Sequence, residues 1–259
     1  MKVGFIGVGN MGGPMCRNIV KRSNHQVTVF DLNAAAVKTC TDLGATAAKS
    51  IAEVTQGADV VMTSLPMPKD VEAVTLGDGG ILATIAKGQT YIDLSTNAPS
   101  MVKKIGAAMA AKGIAMLDAP VSGGTVGAEA ATIAIMVGGD KKVFDDALPV
   151  LQSFSANVIH MGELGTGTVA KLVNNMIDQL SVFQNMFLRR ERVRRPLPRS
   201  RLPRHRASPA GPPRRRRSAR RGPRCAGTSP KRRCDSQSAR ASRISPRTRA
   251  AVSTSKPDR

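Results

Sequence analysis

The 259-residue sequence predicts an α/β fold: a doubly wound, mostly parallel sheet followed by one long helix. Three observations predict it. A short apolar run, Lys2 to Ile6, feeds the glycine-rich turn Gly7-Val-Gly9-Asn-Met-Gly12, and strand-like and helix-like text then alternates as far as Asp118. From about Thr166 to Phe187, apolar residues recur at three- and four-residue steps. Alternating βαβ text gives a parallel sheet with helices on both faces, and the later recurrence gives one apolar stripe along a helix.

The elements follow in order. After the Lys2–Ile6 strand, G-x-G-x-x-G and the helical text of Met15 to Val20 fit a tight turn running into a helix N-terminus. There the unpaired N–H groups and the positive dipole end favour phosphate. Gly7 permits the turn, Gly9 lets backbone approach a pyrophosphate, and Gly12 allows close helix–strand packing. Gln26 to Phe30 reads as a second strand ending at Asp31, an acidic residue placed to accept from ribose hydroxyls. Together these define a Rossmann-type dinucleotide-binding sheet. Asp31 favours NAD because its carboxylate repels a 2′-phosphate, while Asn33 and Lys38 leave NADP open. Ala34 to Leu43 reads as a helix, Asp59 to Leu65 as a buried strand and Tyr91 to Leu94 as another. Helical stretches from Lys69 and over Ser100 to Lys112 separate these from a strand over Ile114 to Leu117. Further on come a strand over Thr132 to Val137, a helix from Asp140, its N-cap, to Gln152, and a last strand over Ala156 to His160.

Ligands of such sheets bind at the carboxyl ends of the strands, which directs attention to three loops: Leu65-Pro66, Ser95-Thr96-Asn97 and Asp118-Ala-Pro-Val-Ser122-Gly123-Gly124. Ser-Gly-Gly offers a hydroxyl and successive backbone donors to an anion such as a carboxylate; taken alone it equally reads as a tight turn. On the long helix, Lys171 and Asn175 lie four apart beside the apolar stripe, so both can face one cavity. A partly desolvated lysine can exchange a proton with an alcohol, although on spacing alone a solvated lysine is the commoner case. Asp178, seven residues after Lys171, reads as a solvated acid.

Composition narrows the choice. The net charge of +21 invites a nucleic-acid reading, but residues 1–188 hold 14 Lys/Arg against 15 Asp/Glu, while residues 189–259 hold 25 against 3. Charge therefore describes the tail. Cys16, Cys40, Cys225 and Cys234 have no metal-ligand spacing, and isolated thiols suggest a reducing compartment. With no cleavable presequence and no apolar run of membrane length, a cytoplasmic protein is the expectation.

Three segments in order, Phe5-Ile-Gly-Val-Gly-Asn-Met-Gly-Gly-Pro-Met15, Asp118-Ala-Pro-Val-Ser-Gly-Gly124 and Gly165-Thr-Gly-Thr-Val-Ala-Lys171-Leu-Val-Asn-Asn175, resemble the signatures of the β-hydroxyacid dehydrogenases. That is the family of 3-hydroxyisobutyrate dehydrogenase and tartronate semialdehyde reductase. The resemblance covers residues 1 to about 180 and implies hydride transfer between a nicotinamide cofactor and a small β-hydroxy acid or semialdehyde. It implies that Gly7, Gly9, Asn10, Met11, Gly12 and Asp31 bind the dinucleotide, with Leu65, Pro66 and Thr96 on the nicotinamide side. Ser122, Gly123 and Gly124 would hold the substrate carboxylate, Asn175 would position the substrate, and Lys171 would be the general acid/base in a scheme that needs no metal.

Two departures from the family pattern stand out. The family usually has glycine near Ala131. It also continues the long helix into an all-helical domain of roughly a hundred residues, which completes the pocket, supplies a further lysine and builds the dimer; its text is not recognisable here. The expected organisation is a dinucleotide-binding domain over residues 1–163, the start of an interdomain helix over 164–188, and a basic Arg/Pro/Ser-rich tail over 189–259. The tail's composition predicts disorder, and its abrupt onset inside a helix fits a loss of reading frame between Asn175 and Arg189. Without the helical domain, the helix's apolar face is expected to lie exposed and the family-type dimer is not expected. The rival reading is a dinucleotide-binding fragment without turnover, whose basic tail binds nucleic acid non-specifically. The tail has no aromatic residue for base stacking.

Overall fold

The computed structural model describes residues 1–194, with side chains through Phe187. The expectations for the tail therefore lie outside the described residues, apart from helical backbone that continues to Arg194.

Strand β1 (Lys2–Ile6) is followed by α1 (Gly12–Arg22), β2 (Gln26–Phe30), α2 (Ala34–Thr41), β3 (Thr46–Ala47) and α3 (Ile51–Thr55). The chain continues through β4 (Val60–Thr63), α4 (Pro68–Leu76), α5 (Ile81–Thr84), β5 (Thr90–Asp93), α6 (Pro99–Ala111) and β6 (Ala115–Asp118). Then come β7 (Val121–Ser122), α7 (Gly124–Ala130), β8 (Ile133–Gly138), α8 (Lys141–Gln152), β9 (Ser155–Gly162) and α9 (Thr166–Arg194). The strands form one sheet in the order β3-β2-β1-β4-β5-β6-β8-β7, with β9 also paired to β8. The pairs from β3 through β6 are parallel, whereas β8 runs antiparallel to β6 and β7. The doubly wound expectation holds, and the chain reverses direction in the sheet between β1 and β4, where such folds place their ligand crevice.

Alternate residues of the central strands feed two cores. Val3, Phe5, Val60, Met62, Ile92 and Leu117 pack on one face; Ile6, Val61, Tyr91 and Met116 pack on the other. This two-sided burial explains why the strands read as continuous apolar runs. Five elements are additional to those expected: β3, α3, α5, β7 and α7. Each is two to seven residues long, too short to display a period, and α7 contains two glycines that its intrinsic propensity disfavours.

The expected apolar stripe forms on α9 and is exposed, from Leu172 at 40% to Phe187 at 66%. The helix is held by β8, β9, β6 and α6, with Gly167 and Thr168 buried at its beginning. Among the described residues, no helix is long and apolar enough to cross a membrane.

Candidate active site

The glycine turn lies at the switch point between β1 and β4. Gly7 adopts φ +87°, a left-handed conformation that favours glycine. A Cβ at Gly7 would strike the Ser64 carbonyl, and one at Gly12 would strike the Gly7 carbonyl, whereas Gly9 faces open space. Gly12 begins α1, which has no side-chain N-cap and no acidic residue in its first turn. Donors left without a side-chain partner beside an open glycine fit a dinucleotide pyrophosphate.

Asp31 fixes this turn to the end of β2. One carboxylate oxygen accepts from Val8 N at 2.8 Å, the other from Asn33 N at 2.8 Å. Each oxygen retains capacity for a second donor such as a ribose hydroxyl. A cleft of about 1010 Å³ runs past these groups, lined by Gly7, Gly9, Asn10, Met11, Gly12 and Asp31, and by Leu65 and Pro66 across from them. Thr96 is exposed on the β5–α6 loop and is not part of that lining. The two side chains that left NADP open have other partners: Asn33 caps α2 through Ala35 N and Ala36 N, and Lys38 pairs with Asp42 at 2.6 Å. Leu32 and Lys49, which sequence reasoning did not single out, line the cleft instead.

A buried polar network supports the Leu65 side. Asp93, 1% exposed, accepts from Thr63 Oγ1 at 3.0 Å, Ser95 N at 3.0 Å and Asn97 Nδ2 at 3.2 Å. Ser95 Oγ in turn accepts from Leu65 N at 2.9 Å. Burial pushes the Asp93 carboxyl above its usual range, against the lowering effect of these hydrogen bonds.

The second half of the site is built where β7 meets α9. Ser122 pairs with Ala134 of β8, and Gly123 and Gly124 follow with φ of +132° and +64°. A Cβ at Gly124 would meet open space, which leaves backbone there accessible to an anion. From α9, Asn174 Nδ2 donates to Ser122 Oγ at 3.2 Å and to Asp178 Oδ2 at 3.0 Å. Asn174, rather than Asn175, is thus the asparagine joined to the Ser122 loop; Asn175 is half-buried beside it, with no side-chain hydrogen bond among the described residues. Lys171 lies one turn earlier and is half-buried. Burial lowers the pKa of its ammonium, and the Asp178 carboxylate opposes that shift. Asp178 is exposed, as expected of a solvated acid, but it belongs electrostatically to this group.

Helix α1 also reaches the Ser122 half. Asn18 Nδ2 donates to the carbonyls of Ala128 at 2.7 Å and Glu129 at 3.3 Å, closing the end of α7, and Arg17 pairs with Glu129. Ala131 ends α7 at φ +56°, ψ +38°. The family's glycine near this position has a physical reason, since a left-handed helix cap favours a residue without Cβ.

Comparison with known proteins agrees with this geometry. Residues 2–162 match the family described as the NAD binding domain of 6-phosphogluconate dehydrogenase. The 3-hydroxyisobutyrate dehydrogenase of Pseudomonas aeruginosa is 46% identical over 175 residues. The chain belongs to the β-hydroxyacid dehydrogenase family. That alignment covers 68% of this chain and 58% of the relative. An NAD-dependent L-serine dehydrogenase of the same organism is 46% identical, over 68% of this chain and 59% of its own length. Among solved structures of the family, the Mycobacterium tuberculosis 3-hydroxyisobutyrate dehydrogenase with L-serine superposes with a TM-score of 0.68 at 36% identity, over 73% of this chain and 65% of that one. This chain therefore spans less than two thirds of the length of those family members.

Proposed function

We propose that residues 1–163 form an NAD(P)-binding domain that prefers NAD, and that with α9 they carry the proton-transfer half of a dehydrogenase for small β-hydroxy acids or the corresponding semialdehydes. The observation that carries this reading is the hydrogen bond from Asn174 to Ser122. It joins the Ser-Gly-Gly loop to the Lys171 helix, and helix α1, which leaves the glycine turn, touches the same half through Asn18.

The glycine turn, Asn10 and Met11 would hold the pyrophosphate end, Asp31 the adenosine ribose, and Leu65, Pro66 and Thr96 the nicotinamide side. Bound nicotinamide supplies the acceptor or donor for a hydride at the substrate carbinol carbon. Ser122, Gly123 and Gly124 hold the substrate carboxylate through the hydroxyl and exposed backbone donors. Asn174 and Asn175 orient the substrate. Lys171, whose ammonium pKa is lowered by burial, takes the hydroxyl proton in its neutral form when the alcohol becomes a carbonyl, and as ammonium returns it in the reverse direction.

With the matched region ending well short of the relatives' length, this 259-residue chain is expected to bind NAD(H) weakly and to transfer hydride little or not at all. Calorimetric titration with NAD and NADP, beside a turnover panel that includes 3-hydroxyisobutyrate and L-serine, tests both parts. Robust turnover contradicts the second, and absence of dinucleotide binding contradicts the first.

The tail's 25 Lys/Arg against 3 acids favour a second property, non-specific and salt-dependent nucleic-acid binding. Deleting residues 189–259 should abolish it, and RNA binding that survives the deletion rules out the tail as its source.

A further inference from the structure

Strand β6 ends at Asp118, and the chain then passes through Ala119 and Pro120 into β7 and Ser122. The Asp118 side chain, 1% exposed, does not serve that loop. Its Oδ1 accepts from Gly165 N at 2.7 Å and its Oδ2 from Thr168 N at 2.6 Å. These donors lie at the start of α9, where a helix leaves its first N–H groups without internal partners. Helices α2, α3 and α8 are capped by their own Asn33, Ser50 and Asp140. Before α9 stands Gly165, which has no side chain to offer, so the cap comes from Asp118, 47 positions before Gly165 and 50 before Thr168.

The junction is also tight at the level of the backbone. A Cβ on Gly167 would strike the Met136 carbonyl and lie 2.7 Å from the Asp118 carbonyl, and one on Gly138 would strike Asp118 Oδ1. The Thr168 hydroxyl is buried without a hydrogen-bond partner and lies beside the same carboxylate. Thr168, Lys171 and Asn174 then follow at three-residue steps, so they share one side of the helix. A displacement at the cap therefore carries directly to Lys171.

We propose that Asp118 is the positioning residue for Lys171: its carboxylate ties the start of α9 to the end of β6 and so sets the helix side that carries Lys171 and, through Asn174, meets Ser122. The inference rests on the reading of Lys171 and Ser122 as proton-transfer and substrate-binding groups. One strand end thus does two things, launching the substrate loop through the main chain and anchoring the lysine helix through the side chain. Asp118→Asn retains one acceptor oxygen but turns an NH2 group toward a backbone N–H. Thr168→Pro removes one donor and leaves the carboxylate intact, in the first helical turn where proline is best tolerated.

The experiment uses the full chain and both variants. Lysine acetylation by acetic anhydride across a pH series, read residue by residue by mass spectrometry, reports the titration of Lys171, with exposed Lys141 as internal reference. Calorimetry with NAD reads the dinucleotide half, and circular dichroism reads the fold. In both variants the expected result is a folded protein whose NAD affinity stays within about twofold of the parent, as for independent sites, while the Lys171 titration moves up toward that of an ordinary lysine. A folded variant in which Lys171 titrates as in the parent overturns the proposal. If Asp118→Asn does not fold, Thr168→Pro decides on the same terms, and loss of fold in both also overturns it, because the carboxylate then determines folding rather than placement. Lys171→Met separates the underlying reading: residual turnover unchanged by that substitution defeats the proton-transfer role while leaving the labelling result standing.

Discussion

The glycine turn of the dinucleotide cleft is braced from nearby in the chain, with Asp31 reaching back 23 residues to Val8 within a single βαβ unit, while Leu65 and Pro66 face it from the end of β4. The Ser122–Asn174 contact spans 52 residues and depends on how α9 docks, which the Asp118 cap controls. The turn and Asp31 are set by local geometry, whereas the Ser122–Asn174 contact is set by long-range placement. Beyond its docked first turns, α9 is exposed along the stripe that the sequence predicts. The difference teaches that the glycine turn and the Ser122–Asn174 contact are held by separate parts of the chain, so each can be perturbed alone.

Substitutions sharpen the contrast, beginning with the largest effect. Lys171→Met should reduce any residual turnover by about 10²–10⁴-fold, the usual contribution of a positioned acid/base. NAD affinity by calorimetry should be unchanged, and a parallel loss of both would break the separation of the halves. Asp31→Ala removes the carboxylate that braces Val8 and that we propose for the adenosine ribose. NAD affinity should fall by roughly ten- to a hundredfold, from charge-assisted hydrogen bonds of about 1.5–3 kcal/mol, with little loss for NADP. Equal losses for both dinucleotides would remove Asp31 from the specificity argument.

Ala131→Gly relieves a left-handed backbone conformation that costs an ordinary residue about 1–2 kcal/mol, partly offset by glycine's greater freedom when unfolded. Urea unfolding should show a gain of about 0.5–1 kcal/mol, and a loss would mean that the Ala131 methyl matters more to packing than the backbone strain does. Asp178→Asn has the smallest effect. It removes the negative charge that favours the Lys171 ammonium, so the already lowered pKa moves lower still. The rising limb of alcohol oxidation, which requires the neutral amine, shifts to lower pH. A shift to higher pH would contradict the assignment of Lys171 as the base.

Much of the dinucleotide half was legible in the sequence, because Gly7, Gly9, Gly12 and Asp31 state their requirement in spacing alone. The Ser122 loop and Lys171 were legible as chemistry but not as geometry. Asn174 and Asn175 are neighbours about 100° apart around a helix, and which one meets Ser122 depends on the rotational setting of α9. That setting is imposed by Asp118, a residue the sequence presents only as the first letter of a loop motif. Asn18 was hidden for a similar reason: its partners on α7 lie 110 and 111 residues away. Asn33 and Lys38, which leave NADP open by their proximity to Asp31, also act locally: the Asn33 carboxamide oxygen caps α2, and Lys38 pairs with Asp42 four residues on. Lys49 enters the cleft from beyond β3, an element too short for its pattern to be read.

As proposed, the glycine turn at the β1–β4 switch point binds NAD whether or not hydride transfer follows. Calorimetric titration of the purified 259-residue protein with NAD, repeated on Asp31→Ala, tests it most directly. The expected result is measurable NAD binding that weakens in the variant, in a protein showing little or no turnover. Absence of NAD binding by the folded parent, or binding that Asp31→Ala leaves untouched, would contradict it.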